Sequence, residues 1–337
     1  MNFRARNGFT LIELLLVIAL IAIVSTLAVG KLGGVKEAAA RKISLANQQA
    51  IGRGVEAYLA IGNGHINRLD SLIYAGGGGA PQFGTTTGFD FDTPSTDAGN
   101  GLYLGPVADC LPAVREETNG GLTPGLQKVL CLYTLSQGQA DALSQRLGLC
   151  HVMAHTAYAD AGDFEYPSMH YGKDRAYGDG TVPNASDGLK PNESACVATA
   201  VTNGMIVAAI NPMTDLGRTI YQAMGQELMN TENWNRGGKN TAYDENEVKR
   251  EVNATGGPLL AFGLGDSASI IGNSQAGLEV APYATYAQKK YYSRYILLFR
   301  LRSTGAGSVS VVLPEFAGVL DCCGNTIRAA RQIVADL

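Results

Sequence analysis

The longest hydrophobic pattern of the chain lies close to its start. From Phe9 to Val29 every residue is apolar except Thr10, Glu13, Ser25 and Thr26. As an α-helix this stretch would be about 31 Å long, which is enough to cross the hydrocarbon core of a bilayer. The sequence therefore predicts a transmembrane helix over residues 9–29, preceded by a short segment over residues 1–8.

A second, amphipathic half of the same helix is predicted over residues 30–61. Its apolar residues recur at spacings of three and four, with one step skipped at Gly54, and form one stripe: Val35, Ala39, Ile43, Ala46, Ala50, Ala57 and Ile61. The other side carries Lys36, Glu37, Arg41, Lys42, Gln48, Gln49, Arg53 and Glu56. We expect the apolar stripe to lie over a globular domain and the polar side to face solvent or neighbouring molecules.

Beyond residue 61 the pattern changes to short elements and polar loops, which predicts a globular head over residues 62–337. Ser136 and Gln139 form a capping box that opens a helix ending near Gly148. The alternation of the late strand predicts antiparallel pairing of residues 292–302 with 308–313. Further predictions are a surface loop over 75–101, a buried strand over 197–210, and a helix over 215–229 capped by Thr214. The predicted fold is α+β: a long N-terminal helix whose outer half packs on an antiparallel-sheet head with large loop insertions.

Composition and charge exclude some classes of protein. Only 17% of the 337 residues are charged and 42 are glycine, which argues against a coiled coil and against a charge-driven disordered chain. The formal net charge of -4 argues against non-specific binding of nucleic acid by the whole surface. No nucleic-acid partner is indicated.

The residues around the start of the hydrophobic stretch carry the most specific chemistry. Arg4, Arg6 and Gly8 precede the apolar run, and Glu13 lies one turn inside it. A secretory signal peptide would have a shorter apolar core followed by a cleavage site, so a membrane anchor fits better. A carboxylate at the centre of a membrane helix costs about 2.5–3.5 kcal/mol. Glu13 therefore either stays hydrated near the interface or has a specific partner.

The run from Gly8 to Glu13, followed by unbroken apolar sequence, resembles the prepilin signature of type IV pilins and type II secretion pseudopilins. The resemblance implies that a membrane peptidase cuts after Gly8, removes the leader 1–8 and methylates the new amino terminus at Phe9. It also implies that Glu13 pairs with the terminal amine of a neighbouring subunit during filament assembly. Two opposite charges in an apolar filament interior must be paired to be tolerated.

The resemblance further implies a pilin-like fold and a location. The helix would lie in the bacterial inner membrane as a single pass with a cytoplasmic N-terminus, and the head would be periplasmic or extracellular in the filament. The implied partners are a prepilin peptidase/methyltransferase, other pilin or pseudopilin subunits, an inner-membrane assembly platform, and membrane lipid before assembly. The motif does not separate a pilus from a pseudopilus. Two alternatives stay open: a minor or tip pilin that binds a ligand, and a membrane-tethered enzyme.

The head carries a few residue groups that could serve catalysis or metal binding. Cys150, His151 and His155 lie close together, with Asp160, Asp163, Glu165 and His170 following, but the HExxH pattern is absent. Nucleophile-elbow, P-loop and dinucleotide motifs are absent too. Calcium stays open because loops around Asp90, Asp92, Asp97, Asp174 and Asp179 offer oxygen ligands, without EF-hand spacing. We predict no catalytic residues, no enzyme activity, and no cofactor or metal site apart from this open possibility of calcium.

Six cysteines would lie outside the cytoplasm if the head is exported: Cys110, Cys131, Cys150, Cys196, Cys322 and Cys323. Disulfides persist in that environment, and six cysteines allow 15 pairings. We expect the adjacent Cys322 and Cys323 to bond to distant partners rather than to each other. At least one bridge would then tie the C-terminal segment to the body of the head.

Overall fold

A computed structural model describes residues 11–61, 65–75, 88–90, 102–104, 126, 129–156, 175–177, 195–228, 245–284, 294–304 and 311–335. Its first element is a helix of 50 residues, α1 (Leu11–Ala60). The predicted membrane half and amphipathic half are therefore continuous from residue 11 onward. Across the described residues, no helix combines the length and the hydropathy needed to cross a membrane. The transmembrane assignment of residues 9–29 stays a prediction from the sequence.

The head contains short strands and short helices. Its strands are β1 (Leu69–Asp70), β2 (Ile73–Ala75), β3 (Gly88–Asp90), β4 (Leu102–Leu104), β5 (Leu130–Thr134), β6 (His151–Thr156), β7 (Arg175–Tyr177), β8 (Ala195–Ala200), β9 (Ile206–Ile210), β10 (Leu259–Gly263), β11 (Ile296–Thr304) and β12 (Val311–Leu320). Its helices are α2 (Gln137–Asp141, continued by a π-helical segment over Ala142–Leu147), α3 (Asp215–Ala223), α4 (Glu245–Thr255) and α5 (Ile327–Ala335).

Ten of the described strands form one sheet that branches at β10. One edge of β10 pairs with β11, which pairs in turn with β12. The other edge pairs with β9 at Leu260 and Ala261 and with β1 at Gly263. From β9 the sheet continues to β5 and β3, and from β1 it continues to β6, β8 and β7. The β10 strand therefore joins three arms of the sheet.

The predicted antiparallel sheet is confirmed in its dominant character but is wrong in detail. The pairs β1–β6 and β7–β8 are parallel, so the sheet is mixed. The late hairpin is longer than predicted, since β12 pairs with β11 from Val311 to Leu320 with an irregularity next to Phe299. Phe299 is fully buried between Phe262 and Phe316, whose ring centroids lie 6.2 and 5.8 Å from its own. This aromatic row fills the core beneath β10, β11 and β12.

Local predictions in the head have mixed outcomes. The capping box is confirmed, because the Gln139 amide donates to Ser136 Oγ and the Ser136 amide donates to Gln139 Oε1 at 2.9 Å. The predicted end of that helix is confirmed by Gly148, which adopts the left-handed conformation at its C-terminus. Thr214 caps α3 as predicted, but α3 ends at Ala223 rather than at residue 229.

Two further predictions are corrected by the strand boundaries. The segment 197–210 is not one strand, since a turn separates β8 from β9. The predicted surface loop 75–101 contains β3, whose buried Phe89 packs edge-on against Tyr133 at 4.9 Å. The contact of Phe89 with Tyr133 thus accompanies the pairing of a three-residue strand, from an otherwise polar stretch, with β5.

Candidate functional site

One face of the outer half of α1 attaches this helix to the head. Its buried row is Ser44, Gln48, Ile51, Val55 and Tyr58. The spacings of four and three residues place these side chains on one side of the helix. The row packs against β12 and α5, which are the last two elements of the chain. The N-terminal helix is therefore held by the C-terminal end of the head.

Gln48 is the central polar residue of this contact and is fully buried. Its Nε2 donates to the backbone oxygens of Val319 at 2.8 Å and of Asn325 at 2.9 Å. One carbonyl belongs to the end of β12 and the other to the turn that follows it. A buried donor must be hydrogen-bonded to be tolerated, so the two bonds of Nε2 fix the position of α1 along the head.

Ser44 and Tyr295 form a second polar contact between α1 and the sheet. The Tyr295 hydroxyl donates to the Ser44 carbonyl at 3.0 Å and also lies 2.9 Å from Ser44 Oγ. Burial raises the pKa of Tyr295 to about 12, although side-chain hydrogen bonds with Ser44 and Asn47 lower it. The phenol is therefore held neutral in the protein interior, with its hydroxyl satisfied by the helix.

The predicted packing face of α1 is wrong. Ile43 and Ile61 are each 51% exposed, and Ala39, Ala46, Ala50 and Ala57 are exposed as well. Gln48, which the sequence pattern places on the polar side, is buried instead. At about 100° per residue the alanine-rich stripe lies roughly 120° around the helix from the buried row. The larger side chains of Ile51, Val55 and Tyr58 bury more apolar area than alanines, so they decide which face meets the head.

Gly54 allows the close approach of α1 to the head. A Cβ atom at this position would lie 2.5 Å from the carbonyl oxygen of Ala276. Any side chain would therefore push the helix away from the loop that carries Ala276. The glycine that interrupts the apolar pattern of the sequence is a point of backbone contact.

The predicted processing and assembly residues lie at the start of the chain. Gly8 and Phe9 are outside the described residues, whereas Glu13 belongs to the first turn of α1. The buried row begins at Ser44, 31 positions after Glu13 along the same helix. The two regions are therefore separate parts of one element.

The metal-site candidates are only partly covered by the described residues. Cys150 directly precedes β6, which begins at His151 and also contains His155. Asp160, Asp163, Glu165 and His170 lie outside the described residues, as do Asp92, Asp97, Asp174 and Asp179, while Asp90 ends β3. The described part of the chain contains no group of three His, Cys, Asp or Glu residues that could hold a metal ion.

A surface groove of about 680 Å³ lies between α1, β12 and α5. Its lining includes Phe316 and Ile327, together with three exposed charged side chains, Glu56, Arg328 and Arg331. The two arginines and one glutamate give the lining a net positive charge, and Phe316 and Ile327 give it an apolar part. Sequence reasoning missed the groove because its lining comes from segments far apart in the chain.

Comparison with known proteins gives a match at the N-terminus. Residues 3–29 match the family described as the prokaryotic N-terminal methylation motif. Neither the search of curated proteins nor the search of solved structures returned a significant match to this chain. The matched segment contains Gly8, Phe9 and Glu13, and it indicates a prepilin similar to type IV pilins or pseudopilins.

Proposed function

We propose that this prepilin-like chain is a filament subunit of a type IV pilus or a type II secretion pseudopilus. The observation that carries the proposal is the methylation motif over residues 3–29, which supports a structural subunit of the pilin or pseudopilin type. In this proposal the leader is cut after Gly8, Phe9 becomes the methylated amino terminus, and the helix beginning there enters the filament.

The two faces of α1 support this role. The buried row uses one side of the outer half to hold the head, and the exposed stripe leaves Ile43, Ile61 and four alanines available to neighbours. Small side chains allow helices to approach closely, and burying the exposed half of each isoleucine would contribute roughly 1 kcal/mol. A filament repeats such a contact along its length, so modest contributions from each subunit add up.

The proposed processing and assembly residues act in sequence. The peptidase/methyltransferase acts first, while the precursor is anchored in the inner membrane with its N-terminus in the cytoplasm. Glu13 then attracts the positively charged amine of Phe9 on a neighbouring subunit as both leave the lipid for the filament core. An inner-membrane assembly platform and other pilin subunits are the corresponding partners, and the head is periplasmic or extracellular.

Amino-terminal mass analysis tests the proposal directly. The full chain is expressed with its own processing peptidase, and its N-terminal peptide is measured in wild type and in the Gly8→Ala variant. We expect wild type to begin at methylated Phe9 and Gly8→Ala to retain Met1. Gly30→Ala is the matched control, because it changes a glycine of the same segment that lies beyond the proposed cleavage point. Wild type that retains Met1 would refute the processing step.

A ligand-binding head is a second candidate function, and the groove between α1, β12 and α5 is the observation that favours it. Its charge balance suits an anionic ligand that also has an apolar part. Retention of cells on a heparin-coated surface would be compared between wild type and the Arg331→Glu variant. Equal retention, at equal filament number, would exclude the groove as an anion-binding site.

A further inference from the structure

The turn between β12 and α5, residues 321–326, holds two adjacent cysteines in a fixed geometry. Asp321 Oδ1 accepts hydrogen bonds from the backbone amides of Cys323 and Asn325, both at 2.8 Å. The Asn325 side chain donates to Asp321 Oδ2 at 2.9 Å. Within this turn the Sγ atoms of Cys322 and Cys323 lie 3.9 Å apart. Cys322 is fully buried, and Cys323 is partly exposed.

The sheet register keeps Cys131 away from this pair. Cys131 on β5 stands opposite Ala209 on β9, and the same row runs through Leu260 and Phe299 to Phe316 on β12. Four strand spacings separate Cys131 from β12, or about 19 Å. Cysteines can form a disulfide only when their Cα atoms lie within about 7 Å.

The arm of the sheet that runs from β1 to β6 and β8 excludes Cys150 and Cys196 as disulfide partners of the C-terminal pair, again by distance. Cys150 precedes β6 by one residue, and Cys196 lies on β8 opposite His155. From β12 the path to β6 crosses β11, β10 and β1, and one further step reaches β8. These distances are about 19 and 24 Å. The expected bridge from the C-terminal pair to the body is therefore wrong for Cys131, Cys150 and Cys196, while Cys110 lies outside the described residues.

We propose that Cys322 and Cys323 are oxidised to a disulfide with each other after the head leaves the cytoplasm. This proposal rests on the proposed function in one respect: export of the head places the two cysteines in an oxidising compartment. The oxidant is a carrier disulfide, either of a protein or of a small molecule. The Cys323 thiolate, which is the more accessible of the two, attacks one carrier sulfur and releases the other as a thiolate. The Cys322 thiolate then attacks Cys323 Sγ and displaces the carrier.

This sequence of steps balances. The two cysteine thiols lose two protons and two electrons, one S–S bond forms within the turn, and the carrier disulfide is reduced to two thiols. The buried position of Cys322 suits the second step, since a neighbouring sulfur resolves the mixed disulfide without needing access to solvent. The product closes a small ring in the backbone segment that Gln48 of α1 contacts at Asn325. Oxidation would thus fix the turn on which α1 is held.

The tryptic map of the chain isolates the pair for mass analysis. Cleavage after Arg302 and Arg328 releases residues 303–328, whose only cysteines are Cys322 and Cys323. Full-length protein from exported filaments is denatured, alkylated without reduction and digested. We expect this peptide to carry no alkyl group and to be lighter than its reduced form by two hydrogen atoms. A doubly alkylated peptide, or one linked to residues 69–115 through Cys110, would overturn the proposal.

A second experiment tests the disulfide independently of export and of the proposed function. Purified full-length protein is reduced, and then exposed to oxidised glutathione outside any cell. Peptide 303–328 is expected to lose two hydrogen atoms in wild type and in Cys150→Ser, which changes an exposed cysteine elsewhere. Cys322→Ser should instead retain glutathione on Cys323. A wild-type pair that retains glutathione would refute the resolving step, whatever the N-terminal analysis shows about processing.

Discussion

Two isoleucines of α1 give a matched test of which face of the helix is docked. Ile51 is fully buried against the head, whereas Ile43 is 51% exposed on the alanine-rich stripe. Ile51→Ala and Ile43→Ala remove the same atoms from the same helix. Alanine favours the helix over isoleucine by a few tenths of a kcal/mol, and this gain is the same at both positions. The difference between the two variants therefore measures burial alone.

The magnitudes follow from the exposures. Removing three carbons from a buried site costs roughly 2.4 kcal/mol in transfer free energy, and the cavity left behind adds to this. We expect Ile51→Ala to lower the free energy of unfolding by about 2–4 kcal/mol. At Ile43 about half of the transfer contribution is present and no cavity forms, so the loss should stay below about 1 kcal/mol.

Thermal unfolding of the full chain in detergent measures the difference. For a domain of this size class each kcal/mol shifts the midpoint by about 2–4 °C. Ile51→Ala should therefore unfold at least 4 °C below wild type, and Ile43→Ala within about 4 °C of it. Equal shifts for the two variants, or a larger shift for Ile43→Ala, would refute the assignment of the buried row.

Three further predictions concern single groups. Tyr295 has a pKa of about 12 in the folded protein against 10.0 ordinarily, so its contribution to stability is present below pH 10 and is lost as the pH rises towards 12. A pH titration of unfolding should show a smaller loss over that window in Tyr295→Phe. Gly257→Ala should destabilise the protein by more than Gly277→Ala, because its Cβ would lie 2.0 Å from the Leu301 carbonyl while the other site is open; denaturant midpoints would contradict this if they agreed. Glu13→Leu should be processed normally yet assemble poorly, and filament yields equal to wild type would disprove pairing with the Phe9 amine.

Local signals in the sequence predict local structure well. The caps at Ser136 and Thr214 were predicted because the capping side chain and the amide that it accepts from are three residues apart. The motif at Gly8 to Glu13 is equally local: its residues are contiguous, and it lies within the family match over residues 3–29.

Contacts between distant residues explain the wrong predictions. The sequence pattern places Gln48 on the solvent side because its partners, the carbonyls of Val319 and Asn325, lie 271 and 277 residues away in the chain. Two-residue β1 shows no periodicity, so its parallel pairing with β6 could not be anticipated. The groove beside α5 needs side chains from α1, β12 and α5 at once, and only the fold brings these together.

The attachment of α1 to the end of the chain has a consequence for the order of events during synthesis. Gln48 and Val319 are separated by 271 residues, so the helix is made long before the strand that receives it. At about 5–20 residues per second the interval is roughly 14 to 54 s. During that time the buried row of α1 lacks β12 and α5 to pack against, and the polar side chains of Ser44 and Gln48 make the row less hydrophobic. The head therefore closes onto its helix only after the ribosome has synthesised β12.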